Sequence, residues 1–214
     1  MKKVILSLFV LAGSISFAQK TAKDFFSSDD MVWYGLNFSQ ARMIGQFDQA
    51  AGAGAATGSD IKNKWIPSWN GVIISEPKNF KREEAFRKTN IYNDIAATEK
   101  QNLAIDADKL MTYNPYSFSD PKETIKHVIS SLSGGEKKEG IGVTFVVESF
   151  DKTNMKAVIY AVVFDIATKK VLISEKIEAT PRGIGLRNFW AGAVKDAFKQ
   201  IESSYYNKWK SDAK

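Results

Sequence analysis

Apolar and polar positions change period several times along the chain, and each change marks an element. Residues 32–39 alternate: Val32, Tyr34, Leu36 and Phe38 share one face, and Trp33, Gly35, Asn37 and Ser39 share the other, which predicts a strand. Residues 45–58 hold no large apolar residue after Phe47 and read as a flexible surface loop, rich in alanine and glycine over 50–56. Ser59 or Asp60 can cap a helix in which Ile61, Trp65, Trp69 and Val72/Ile73 recur at helical spacing. Pro67 within that pattern predicts a kink or a split, and Glu76-Pro77 ends it. Residues 78–88 read as a second short helix, with Phe80 and Phe86 as its apolar positions. Residues 91–97 read as a strand, and residues 101–116 show no clear period.

The second half is more regular. Asp120-Pro121-Lys122-Glu123 is a helix start, with an N-cap carboxylate, a proline at the first helical position and a glutamate as in a capping box. Ile125, Val128, Ile129 and Leu132 form its apolar stripe, and Gly134-Gly135 stops it. Residues 141–150, 157–166 and 170–177 are three strands at hairpin spacing, the middle one apolar on both faces. A long helix follows. Its stripe is Leu186, Phe189, Trp190, Ala193, Val194, Ala197, Phe198, Ile201 and Tyr205, with Tyr206 off the stripe. This order predicts one α/β (α+β) domain over residues 31–214. It has a single sheet ending in a C-terminal three-strand antiparallel meander, helices packed on that sheet, and a long C-terminal helix.

The N-terminus changes the boundaries. Lys2 and Lys3, the apolar run 4–12 and the small residues of Ser16-Phe17-Ala18 read as a signal peptide over 1–18, cleaved before Gln19. Residues 19–30 then form an N-terminal extension. Removing Lys2 and Lys3 takes the 30 basic residues to 28 against 24 acidic, a mildly basic +4 of mixed sign. With no run of like charges, nucleic acid is not an expected partner. The composition, 44% hydrophobic and 25% charged, is that of a globular chain rather than a disordered one. The expected location is the periplasm, with the extracellular space as the alternative.

Candidate chemistry is sparse. The one histidine, His127, and the absence of cysteine rule out a His/Cys zinc site within one chain. His127 reads as a surface residue on a helix. Asp106-Ala107-Asp108 lacks the further spaced acids of a calcium loop. Glu148 and Asp165 lie on adjacent expected strands and form one conceivable carboxylate pair. No cofactor is expected. The best local signal is 182–188, where Arg182, Gly183, Gly185, Arg187 and Asn188 surround a helix start. Glycines permit close approach of a ligand, and an arginine can hold a phosphate or carboxylate. The alternative there is a tight strand-to-helix connection, with Arg187 or Asn188 bonding Asn37 or a loop carbonyl. Tyr206 and Trp209, set among Lys208, Lys210 and Lys214, suggest a tail for peripheral membrane contact, against the alternative of an ordinary frayed terminus.

Two resemblances follow from particular residues. The expected element order and the turn Asp165-Ile166-Ala167-Thr168-Lys169, a D-x-x-T-[GK] pattern, resemble the N-terminal domain of the Tol-Pal propeller protein and the curli-type secretion-channel lipoprotein domains. The segments 33–39 and 183–190 resemble the WYGL-[DN]-FS and GxGxRN-[YF]-W motifs of uncharacterised exported Bacteroidota proteins. The latter similarity spans most of residues 31–203 and implies export without implying an activity. Two function classes stay open. One is an exported, non-catalytic binding module for an unknown envelope protein or small ligand. The other is an enzyme or sensor for an anionic small molecule held at 182–188.

Overall fold

The computed structural model describes residues 19–49 and 54–213. The expected signal peptide and residues 50–53 of the Ala/Gly loop lie outside them. In chain order the elements are α1 (Ala22–Ser27), β1 (Asp30–Asn37), β2 (Arg42–Ile44), α2 (Gly58–Asp60), α3 (Ile66–Ser75), α4 (Pro77–Phe80), α5 (Arg82–Phe86) and β3 (Asn90–Asn93). Then come α6 (Ala96–Leu103), α7 (Ala107–Leu110), β4 (Met111–Thr112), α8 (Pro121–Ser130), β5 (Ile141–Asp151), β6 (Lys156–Asp165), β7 (Val171–Ala179), α9 (Gly185–Gln200) and α10 (Tyr206–Asp212). π-helical turns at Ile61–Trp65 and Ile201–Tyr205 join α2 to α3 and α9 to α10.

The sheet corrects the expected fold class. β6 runs antiparallel to β5 and to β7, but the sheet is not built on those pairings alone. Four of its six pairings are parallel: β1 with β3, β1 with β5, β2 with β5, and β2 with β4. β5, expected as the first strand of a meander, is instead central. One edge meets β6, and the other meets β1 along Gly142–Val146 and β2 along Ser149–Asp151. β1 and β2 act as one interrupted strand. The protein is therefore α/β with a mixed sheet, and helices cover both faces. Parallel partners need long crossovers, so β1 and β5 meet across more than a hundred residues of helix and loop.

Two apolar layers follow. On one face Trp33, Phe145, Phe150, Ile159 and Val163 pack against Trp69 of α3 and Trp190, Val194 and Phe198 of α9. On the other, Tyr34, Val146, Tyr160 and Phe164 pack against Phe118 and against Ile125, Val128 and Ile129 of α8. The expected single face for Val32, Tyr34, Leu36 and Phe38 is not found. Tyr34 and Gly35 together oppose Thr144, a bulge that reverses the alternation. Val32 and Tyr34 thus face α8, and Leu36 and Phe38 face α3. Gly35 takes φ +86, and a Cβ there would stand 2.5 Å from Asn70 Oδ1.

Outside this bulge, among the described residues, the edge of β1 has no strand partner between the end of β3 and the start of β4. Two asparagines fill the gap, one from each helical layer. Leu36 N–H donates to Asn70 Oδ1 (2.7 Å), and the Leu36 carbonyl accepts from Asn70 Nδ2 (3.1 Å) and Asn102 Nδ2 (2.9 Å). Phe38 N–H donates to Asn102 Oδ1 (2.8 Å). Both amides are buried, so each backbone group they serve would otherwise be orphaned.

The termini are part of the domain. Residues 19–30, expected as an extension, supply α1, whose Phe25 is fully buried beside Phe86 and Tyr206. The buried Lys88 ammonium donates to the carbonyls of Phe25 and Ser28, tying α1 down. Tyr206 and Trp209, expected at an exposed membrane-facing tail, are each 3% exposed. Trp209 Nε1 donates to Glu175 Oε2 (3.0 Å), so neither ring is available to a bilayer. Among the described residues no helix is long and apolar enough to cross a membrane.

Candidate functional site

The strand-to-helix connection 180–185 is held against α9 by hydrogen bonds from its backbone N–H groups. Thr180 N–H donates to Asp196 Oδ2 (3.0 Å), and Arg182 N–H donates to the Phe189 carbonyl (3.2 Å). Gly183, at φ +138, lies so close to the first turn of α9 that a Cβ would be 2.7 Å from the Asn188 carbonyl oxygen. A Cβ at Gly192 would collide with the Arg182 carbonyl. These glycines let the chain approach its own helix. At Gly183 the close approach is to the chain's own helix, whereas nothing lies within 4 Å of the position a Cβ would take at Gly185.

The expected anion residues divide. Arg182 and Gly183 line an open cleft of about 630 Å³ together with Asn79, Phe80, Lys81, Lys195 and Lys199. Gly185, Arg187 and Asn188 do not line it. Arg187 Nη2 pairs with Glu76 at 3.5 Å, and its Nε donates to Asn188 Oδ1 (2.9 Å); neither side chain reaches Asn37. Among the described residues the Arg182, Lys195 and Lys199 side chains form no ion pair or hydrogen bond, and Lys81 meets Glu84 only at 3.8 Å. Asp196 and Glu202 are the acids of the cleft, and the Asp196 carboxylate is already held by Thr180 and Gln200. Four cations against two acids leave the cleft basic.

Sequence reasoning missed three of these cations. Lys195 and Lys199 are one helical turn apart on the polar side of α9, so their spacing was a usable signal. Lys81 was not legible, because it breaks the expected helix 78–88 by adopting the left-handed conformation at φ 46. Ile184, the N-cap of α9, is 92% exposed and supplies no side-chain cap.

The remaining candidates have structural work. Asp106 caps α7 through Asp108 N–H (3.1 Å) and pairs with Lys109 at 2.9 Å. Glu148 is the extra residue of a bulge in β5. It accepts from Phe118 N–H (2.9 Å) and pairs with Lys176 (3.4 Å). Asp165 accepts from Lys20 N–H, Ala167 N–H and Thr168 Oγ1, with Lys169 in the left-handed conformation, so the D-x-x-T-K turn is a self-closing hairpin. Asp165 pairs with Ile141 at the far end of β5 from Glu148, roughly 20 Å away by strand rise, too far for a catalytic pair. His127 is exposed on α8 beside Ser131 and Gln101. Among the described residues no group of three or more His, Cys, Asp or Glu is placed to hold a metal ion.

A larger cleft, about 800 Å³, opens at the amino ends of β1, β3 and β5. Its charges balance: Lys20, Lys137 and Lys138 against Asp24, Asp30 and Glu139. No protein-family model and no curated protein matches the chain.

Proposed function

We propose that the chain is an exported, non-catalytic binding module that receives an anionic small molecule in the cleft between the α4–α5 junction and α9. The observation that carries this reading is Arg182. Its backbone is fixed against α9 at Gly183 and Gly192, while its guanidinium is exposed and unpaired among the described residues. A planar guanidinium matches phosphate or carboxylate with two parallel hydrogen bonds. Lys81, Lys195 and Lys199 add charge around it. Phe80 and Phe198 contribute an apolar floor.

Export rests on residues 1–18, and the intact mass of envelope protein should lack them. The binding reading is tested by thermal shift against nucleotides, sugar phosphates and organic acids. A ligand that binds only the folded state raises the melting temperature by mass action. The shift should vanish in Arg182→Ala and persist in Arg187→Ala. Loss in Arg187→Ala alone, or no shift at millimolar ligand, contradicts the cleft.

A further inference from the structure

We propose that the open edge of β3 receives an added strand from a partner protein, an extended segment whose Asp or Glu side chain pairs with the buried guanidinium of Arg82. β3 lies at one end of the sheet and, among the described residues, pairs with β1 alone. Asn90 N–H donates to the Asp29 carbonyl (3.1 Å), and Asp94 N–H donates to the Trp33 carbonyl (2.9 Å). Backbone groups alternate sides along a strand in a parallel ladder. Asn90, Tyr92 and Asp94 therefore turn theirs to β1, and Ile91 and Asn93 turn theirs outward. Asn90, Tyr92 and Asn93 are exposed. Sheet edges are commonly blunted by lysine, proline or a bulge. The edge strand β7 carries Lys176 and a bulge at Leu172, whereas β3, Asn-Ile-Tyr-Asn, has none of these and is guarded only by its short length.

Arg82 identifies the occupant. It opens α5 and is 3% exposed, and its guanidinium stands at the carboxyl end of β3. Its Nη1 donates to Asn93 Oδ1 (2.6 Å), and its Cζ lies 5.8 Å from the centre of the Trp33 ring. Its Nε is buried with no partner. Among the described residues Arg82 forms no ion pair. A guanidinium has five donors, and the one side-chain acceptor here is an uncharged amide. A buried charge without a counter-charge is destabilising, and a carboxylate brought to it recovers that cost. Asn93 is exposed and free to turn aside, so its amide oxygen marks the place for a carboxylate oxygen. Ile91 packs at the margin of the core that contains Trp33, on the same side of the sheet as Arg82. An added strand with an acid opposite Asn93 and an apolar residue opposite Ile91 matches both. A second copy of β3 brings no acid to this edge and leaves Arg82 unpaired. Main-chain bonds thus supply attachment, and the acid supplies selectivity.

The test is titration of the isotope-labelled protein with the peptide acetyl-Thr-Val-Thr-Glu-Thr-amide, followed by amide chemical shifts and hydrogen exchange. The amides of Ile91 and Asn93 should shift and gain protection, and those of Asn90 and Tyr92 should gain none. The same peptide with Gln in place of Glu should bind about tenfold more weakly, the loss expected for one charge-assisted hydrogen bond. Arg82→Met should erase that difference while leaving the edge intact. Ile91→Pro should fold, because the N–H it removes does not bond β1, and it should bind neither peptide. An arginine with a purely structural role gives no preference for the acidic peptide in the wild type. No shift at millimolar peptide, equal affinity for the two peptides, or a preference that survives in Arg82→Met would each overturn the proposal. So would a peptide-free dimer in which the Ile91 and Asn93 amides are already protected, since the occupant would then be a second copy.

Discussion

Asn70→Ala removes half of the plug that replaces a strand beside β1, and its cost can be worked from four hydrogen bonds. Asn70 accepts from Leu36 N–H at 2.7 Å and donates to the Leu36 carbonyl at 3.1 Å. The carbonyl keeps Asn102 Nδ2 at 2.9 Å, but the Leu36 N–H keeps nothing. Orphaning a buried donor costs about 1–3 kcal/mol, and the lost second bond adds about 1. The expected destabilisation is about 3 kcal/mol, or a fall of about 6–12 °C in melting temperature for a chain of this size. Asn102→Ala orphans Phe38 N–H in the same way. Because both amides serve one carbonyl, the double variant should depart from additivity by at least about 0.5 kcal/mol. Urea denaturation of the wild type, both single variants and the double variant measures all four values. A loss below about 1 kcal/mol for Asn70→Ala, with strict additivity, would show that water or a slipped strand replaces the amides, and the plug would be incidental.

Trp190→Ala should cost about 3–5 kcal/mol, since the indole is stacked on Phe150 at 4.5 Å and on Phe47 at 5.3 Å with no exposure; an unchanged urea midpoint would refute that packing. Burial holds the Lys88 ammonium down to about 8, whereas an unfolded lysine titrates near 10.4. Between those values the unfolded chain binds more protons, so stability should rise with pH from about 8. Above about 10 it should fall, because Tyr160 is pushed up to about 12 by burial and by Glu148, and the unfolded phenol ionises first. Denaturation across this range should show the rise in wild type and not in Lys88→Met.

Local signals in the sequence were reliable where one residue acts on its neighbours. The Asp120 cap, the Glu76-Pro77 stop and the Asp165 turn all form, because each is closed within a few residues. Register failed wherever the backbone adds a residue. The expected stripe Ile61, Trp65, Trp69 becomes Ile61, Ile66, Trp69, and Ile201, Tyr205 becomes Ile201, Tyr206, Trp209. Both slips have one cause: a π-helical turn holds an extra residue, so the next buried position comes five later. Pro67 accompanies the first such turn, and the helix continues through it instead of splitting. The bulge at Gly35 does the same for a strand. The parallel pairings were not legible, because β1 and β5 are brought together by helix packing far along the chain, and β3 and β4 are too short to show a period. Of the cleft lining, Arg182 and Gly183 were singled out by the glycine pattern, and at Gly183 and Gly192 the strand-to-helix connection also packs closely on α9. The lysines from other turns and elements needed the fold.

The most direct test of the cleft is where an anion binds. Crystals soaked in selenate, an anomalous scatterer that mimics sulfate and phosphate, locate it without assuming a ligand. A peak is expected within hydrogen-bond reach of Arg182, flanked by Lys195 or Lys199, and it should be lost in Arg182→Ala. A peak at Arg187 and Asn188, or in the charge-balanced cleft at the amino ends of β1, β3 and β5, with none beside Arg182, would contradict it.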